Sequence, residues 1–150
     1  MTSFKQPVSV LVVIYTPALD VLLLERSAHP GFWQSVTGSR EGDEGLADTA
    51  RREVGEETGL DGTRYRLQDW HITNTFERFP EWRQRYAPGI TRNAEHVFGM
   101  LLPEAQPISI TLGEHRNWTW MPWQQAAGRC FSWSNRDAIL MLPQRSRRGT

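Results

Sequence analysis

Residues 38–60 read G-S-R-E-G-D-E-G-L-A-D-T-A-R-R-E-V-G-E-E-T-G-L, an acidic, glycine-containing loop followed by the clearest helix signal in the chain. The loop, 39–45, carries two glycines and three acids. The helix expected over 46–58 has Asp48 in its first turn, where a carboxylate complements the helix dipole, and Gly59 to end it. At about 100° per residue, Glu53, Glu56 and Glu57 share a sector roughly 100° wide. Leu46, Ala50 and Val54 form an apolar stripe over one edge of that sector. Glu57 is therefore expected against buried surface rather than in open water.

Such an arrangement is electrostatically unfavourable. Glu53 and Glu57, like charges four residues apart, oppose the helix by about 0.2–0.5 kcal/mol, and the negative end of the helix dipole adds to the repulsion. Arg51 and Arg52 offset only part of it. A solvated acidic face balanced by these arginines is one reading of three such glutamates. The other is a hard divalent cation, which takes oxygen ligands and brings two positive charges.

The complete spacing separates the two readings. It runs G-x5-E-x7-R-E-V-x-E-E-x-G-L, with Gly38, Glu44, Arg52, Glu53, Val54, Glu56, Glu57, Gly59 and Leu60 at the defining places. This pattern resembles the signature box of the Nudix hydrolases in every defining position. The resemblance implies an α/β fold, an α/β/α sandwich with a mixed β-sheet that holds the box as a loop–helix–loop. It also implies an enzyme that uses water to cleave a diphosphate linkage. Glu53, Glu56 and Glu57 would bind Mg²⁺, with Mn²⁺ as a substitute. Arg52 would fix the rotamers of neighbouring glutamates through charge-assisted hydrogen bonds. Gly38 would allow a tight backbone turn, and Glu44 would brace the loop or join the outer metal shell. A general base can be Glu53 or Glu57, or an acid outside the box. Glu114, in the segment L-G-E-H, is the first external candidate for base and metal ligand, and Glu95 the second.

Elsewhere the chain reads as one domain of 150 residues without repeats or an interdomain linker. Strands are expected over 7–15, 21–24 and 32–36, the first two as a hairpin, and further strands around 65–75, 95–102 and 118–121. A closing helix is expected over 135–142, capped by Ser134 or Asn135. Residues 144–150, with Arg145, Arg147 and Arg148, read as a disordered tail. Lys+Arg and Asp+Glu both number 17, so no global field draws in nucleic acid. A single cysteine, Cys130, excludes an internal disulfide and fits a reducing cytoplasm. The longest apolar run, 10–15, falls far short of the roughly 20 residues that cross a bilayer. Oligomeric state is not legible.

The box does not choose the substrate. Four other segments bear on it: P-V-S-V-L-V-V-I-Y (7–15), F-W-Q-S-V-T-G-S (32–39), R-Y-A-P-G-I-T-R-N (85–93) and S-W-S-N-R (132–136). Together with the box they resemble the bacterial dihydroneopterin triphosphate diphosphatases, a branch of the same family serving folate biosynthesis, and the likeness spans residues 5–139. It implies a small-molecule triphosphate substrate, cleaved to the monophosphate and pyrophosphate. Lys5, Arg26, Arg85 and Arg92 suit the triphosphate. Phe76 and Phe79 can stack on a flat ring, Glu77 beside Arg78 can accept from its amino edge, and Thr37 and Ser132 can offer hydroxyls. The alternatives are a general (d)NTP pyrophosphohydrolase for nucleotide housecleaning and a degenerate ligand-binding module. The second normally loses box glutamates, and this chain keeps all of them.

Overall fold

A computed structural model describes residues 5–77 and 92–148, without the side chain of residue 148. Strand β1 (Val8–Tyr15) is its axis. From Ser9 onward every residue of β1 is buried, because both faces of the sheet are covered. Side chains alternate across a strand. Val10, Val12 and Ile14 accordingly join one apolar cluster, and Leu11, Val13 and Tyr15 the other.

The sheet is mixed, as expected. β1 runs parallel to β6 (Arg92–Leu101) along its whole length. Its other edge is shared: β4 (Val36–Ser39) pairs antiparallel with Ser9 to Val12, whereas β2 (Asp20–Arg26) meets β1 only at Tyr15↔Val21. β2 and β4 thus occupy different stretches of that edge. β2 also pairs with β3 (Trp33–Gln34) and β7 (His115–Pro122), while β5 (Arg66–Glu77) closes the far side against β6. Helix α1 (Leu46–Thr58) lays Ala50 and Val54 on the even-numbered face of β1. On the opposite face lie α2 (Trp123–Arg129), through Ala126 and Ala127, and α3 (Trp133–Leu140), through Ala138 and Ile139. The result is the α/β/α sandwich. No described helix is long and apolar enough to cross a membrane.

Three local expectations are corrected, and one helix is added. The strand over 32–36 is broken at Ser35, because the Asn135 side chain captures that residue. The Ser35 backbone N–H donates to Asn135 Oδ1 at 2.8 Å, and Asn135 Nδ2 donates to Ser35 Oγ at 2.9 Å. Helix α3 starts before the expected 135, capped by Ser132, whose Oγ accepts the Asn135 N–H; Ser134 and Asn135 are buried within its first turn. Helix α2 has no counterpart in the sequence reading, since its only buried residues are two adjacent alanines, which give no periodic signal. Residues 144–148 belong to a further helix, α4 (Leu142–Arg148), rather than to a tail. Leu142 is fully buried at its start, and the Arg145 guanidinium lies 5.9 Å from the centre of the Trp70 ring.

Candidate active site

Helix α1 ends as the sequence predicts. Gly59 adopts a left-handed conformation, φ 75°, and donates its N–H to the Gly55 carbonyl. The last two turns deliver Glu53 and Glu57 to the sheet, where they are 9% and 3% exposed, while Glu56 stays in solvent. Burial of two carboxylates this close is possible because of Gly38. A Cβ built on Gly38 would overlap the carboxyl group of Glu53. Gly38 lies within β4 and its φ is not positive, so close approach of Glu53, not a tight turn, explains the glycine.

Arg52 organises the acids from behind. Its Nη1 donates to Glu53 Oε1 at 2.8 Å and lies 3.3 Å from Glu56 Oε2. Its Nη2 donates to Glu44 Oε1 at 2.6 Å and to the Ser39 carbonyl at 3.0 Å. The guanidinium hydrogen bond holds Glu44 down to about 2. Glu44 Oε1 also accepts the backbone N–H of Glu41 and the Thr49 hydroxyl, so one carboxylate ties the loop to the helix. Arg52 itself does not line the main cleft. Its guanidinium is taken up by carboxylates and the Ser39 carbonyl.

Glu57 is the electrostatic anomaly. It accepts the backbone N–H of Thr37, yet its Oε1 has no hydrogen-bond partner although it is buried. His115 Nε2 is 3.9 Å away, beyond hydrogen-bond reach. Burial first, then the Glu53 carboxyl and the charge of Glu114, push Glu57 well above the usual carboxylate range. Burial also raises Glu53, although Arg52 works against it. As the side chains stand, no three acidic, histidine or cysteine side chains among the described residues converge closely enough to hold an ion.

These acids open on a cleft of about 1130 Å³. Glu53, Glu56, Glu57 and Glu114 line it, so the external acid, far from the box in sequence, does reach the same space. Lys5, Arg26, Thr37 and Ser132 line it too, as do Phe76 and Glu77. The Arg26 guanidinium lies 5.9 Å from the centre of the Phe131 ring, which stacks on Phe32 at 4.9 Å. The Thr37 hydroxyl donates to the Val10 carbonyl, leaving its backbone N–H as the group that acts on Glu57. Ser132 Oγ serves as the α3 cap. Glu77 is exposed and paired with Arg92 at 3.0 Å, which places it at the rim rather than against a buried ring edge. Arg78, Phe79 and Arg85 lie outside the described residues.

Some cleft residues escaped the sequence reading. His115 is 4% exposed, and burial, then Arg26, lowers its pKa. Trp133, half exposed, and Asn93, buried, also line the walls. Glu95, on sequence grounds a candidate base alone, is buried, and burial raises its pKa. Polar residues at alternate positions leading into an apolar strand, Asn93 and Glu95 in N-A-E-H-V-F, are the available signal.

The family model described as "NUDIX domain" matches residues 5–142. The chain is 46% identical over 139 residues to dihydroneopterin triphosphate diphosphatase of Escherichia coli (strain K12), covering 91% of each chain. It is 41% identical over 142 residues to the Haemophilus influenzae protein of the same name, covering 93% of this chain and 89% of the relative. The solved structure of the E. coli dihydroneopterin triphosphate pyrophosphohydrolase matches with a TM-score of 0.84 at 45% identity, over 92% of this chain and 95% of that one.

Proposed function

The chain belongs to the NUDIX family, and from that premise we propose that it hydrolyses 7,8-dihydroneopterin 3′-triphosphate to the monophosphate and pyrophosphate. Two relatives named for this activity match nearly end to end, which supports the substrate. The observation that carries the chemistry is the unpartnered, buried Oε1 of Glu57 beside a second buried carboxylate. Uncompensated acid at that depth is costly, and a divalent cation relieves it. The donor set is all oxygen, which suits Mg²⁺, with Mn²⁺ able to replace it. Glu53, Glu56, Glu57 and Glu114 would hold the ion. When bound, it supplies charge neutralisation at the phosphates and makes water more acidic.

The remaining work falls to the protein. Arg52 and the Thr37 N–H fix the carboxylates, so little reorganisation is left for the reaction itself. Lys5 and Arg26 bind phosphate oxygens, Arg26 from its aromatic support. Glu114 accepts the proton of the attacking water as the new P–O bond forms. The α,β-anhydride bond breaks, its electron pair leaves on the phosphate that is displaced, and the products are the monophosphate and pyrophosphate. Cys130, half-buried and pushed up to about 12, does not line the cleft, and as a lone thiol it suits a cytoplasmic enzyme.

A pyrophosphate-release assay at matched Mg²⁺ tests the substrate. Dihydroneopterin triphosphate should exceed each common dNTP in kcat/KM. A dNTP better by about tenfold would replace this reading with nucleotide housecleaning. Absence of turnover on every triphosphate would leave a binding module.

A further inference from the structure

Beyond the acids assigned to hydrolysis, the cleft holds another buried carboxylate. Glu95 lies on β6, flanked across the sheet by Ser9 of β1 and Asn74 of β5. It projects to the same face as Val97 and Leu11, whereas α1 packs on the other face. Towards the start of β1 and β6 the apolar core on this face gives way to Ser9, Asn93 and Glu95, which line the cleft together. The charge that reaches Glu57 is that of Glu114; Glu95 is not among the groups acting there.

Glu95 is only 6% exposed, and among the described residues it forms no ion pair. Its donors are neutral: Asn74 Nδ2, 3.4 Å from Oε1, and the Ser134 side chain. A carboxylate can accept about four hydrogen bonds. Beside it, Asn93 donates through Nδ2 to Ser9 Oγ at 2.8 Å, but its buried Oδ1 has no partner. Two acceptor groups, two residues apart on one strand, therefore face the cleft short of donors. Phe76, opposite Asn93 in the β5–β6 register, supplies a flat apolar surface alongside.

We propose that Glu95, with Asn93 beside it, reads the substrate's ring by accepting the adjacent N–H and amino donors of a 2-amino-4-oxopyrimidine edge. That edge is shared by pterins and guanine. Adenine and cytosine present a donor beside an acceptor, and thymine an N–H flanked by carbonyls, so neither pattern satisfies two neighbouring acceptors. The inference rests on the pyrophosphohydrolase reading, since ring and phosphates must share the cleft. It transfers ring recognition from Glu77 at the rim to Glu95 on the floor.

Glu95→Gln tests it. Glutamine keeps an acceptor for Asn74 and Ser134, so a purely structural Glu95 would tolerate it, but its amide sets a donor against the ring's donors. Two ratios of kcat/KM are read: dihydroneopterin triphosphate over dATP, and dGTP over dITP, which lacks only the 2-amino group. In the wild type dGTP should exceed dITP by about tenfold. In the variant both ratios should fall by about tenfold, the dGTP/dITP ratio to near unity, mainly through KM. Equal loss on all four substrates through kcat would make Glu95 a base and overturn the proposal; unchanged ratios would overturn it as well. If thermal melting shows the variant unfolded, the wild-type dGTP/dITP ratio decides, and a value near unity refutes the assignment. Wild-type preference for dATP over the pteridine would sink the pteridine reading, while the dGTP/dITP ratio would still judge Glu95.

Discussion

Glu57→Gln should cripple turnover and yet make the metal-free protein more stable. The side chain is 3% exposed, one oxygen has no partner, and its neighbour is another buried carboxyl. Glutamine keeps the volume, removes the charge, and can donate its amide N–H to Glu53 while still accepting from Thr37. Leaving a buried polar atom unsatisfied costs about 1–3 kcal/mol. Relieving it should raise the melting temperature by roughly 2–12 °C in a domain of this size. The sign of the pH dependence follows from the raised folded-state pKa. Between the ordinary value of 4.5 and the folded value, native Glu57 holds a proton that the unfolded chain has released, so wild-type stability falls as pH rises through that window. The glutamine variant has no such proton and escapes that fall. The gap between the two proteins should therefore be small near the ordinary carboxylate value and widen above it. Saturating Mg²⁺ should reverse the order, since a ligand at 100 times its Kd contributes about 2.7 kcal/mol to the protein that binds it. Turnover in the variant should drop by at least about 100-fold. Calorimetry with and without metal across pH, alongside pyrophosphate release, measures all of this. A metal-free variant that melts no higher than wild type at about pH 8 would refute the claim that Glu57 is held under electrostatic strain.

Three further outcomes are expected. Arg52→Lys keeps one charge but cannot reach Glu44, Glu53, Glu56 and the Ser39 carbonyl together, so kcat should fall by about 10–100-fold. Because Glu44 is depressed to about 2, its contribution is present above the ordinary carboxylate value and is lost as pH falls through about 2; the lysine variant should lose stability at higher pH, as acid melts would show. Glu114→Ala should lower kcat and leave KM nearly unchanged, and a raised KM with kcat unchanged would place the residue in ground-state binding instead. Gly38→Ala should displace Glu53 and reduce metal affinity by about tenfold or more, read by titration calorimetry; unchanged affinity would mean that Glu53 need not lie against β4.

Much of the fold was legible because its signals are local. β1 is apolar throughout except for Ser9, and Gly59 ends α1 where helix rules place it. What was missed depends on partners distant in sequence. Nothing near Ser35 announces that Asn135 will intercept its backbone 100 residues later. Nor can the sequence show that Leu142 is fully buried and begins another helix.

The site divides in the same way. Box spacing locates Glu53, Glu56 and Glu57 because one helix carries all three, and periodicity is enough to place them together. It misassigns the reason for Gly38, since the carboxyl that needs the missing Cβ comes from a different element. Ring recognition is harder still to read. Glu77 and Glu95 are both acids on neighbouring strands, and composition cannot rank them. Their surroundings can: Glu77 has Arg92 and solvent, whereas Glu95 has neutral donors, burial and an unpartnered amide oxygen beside it. A charge already paired in water has little to gain from a ligand, while a buried acceptor lacking donors gains one hydrogen bond for each N–H that arrives. Between these two acids, specificity is thus expected from Glu95, the buried one with acceptor capacity to spare, and not from Glu77.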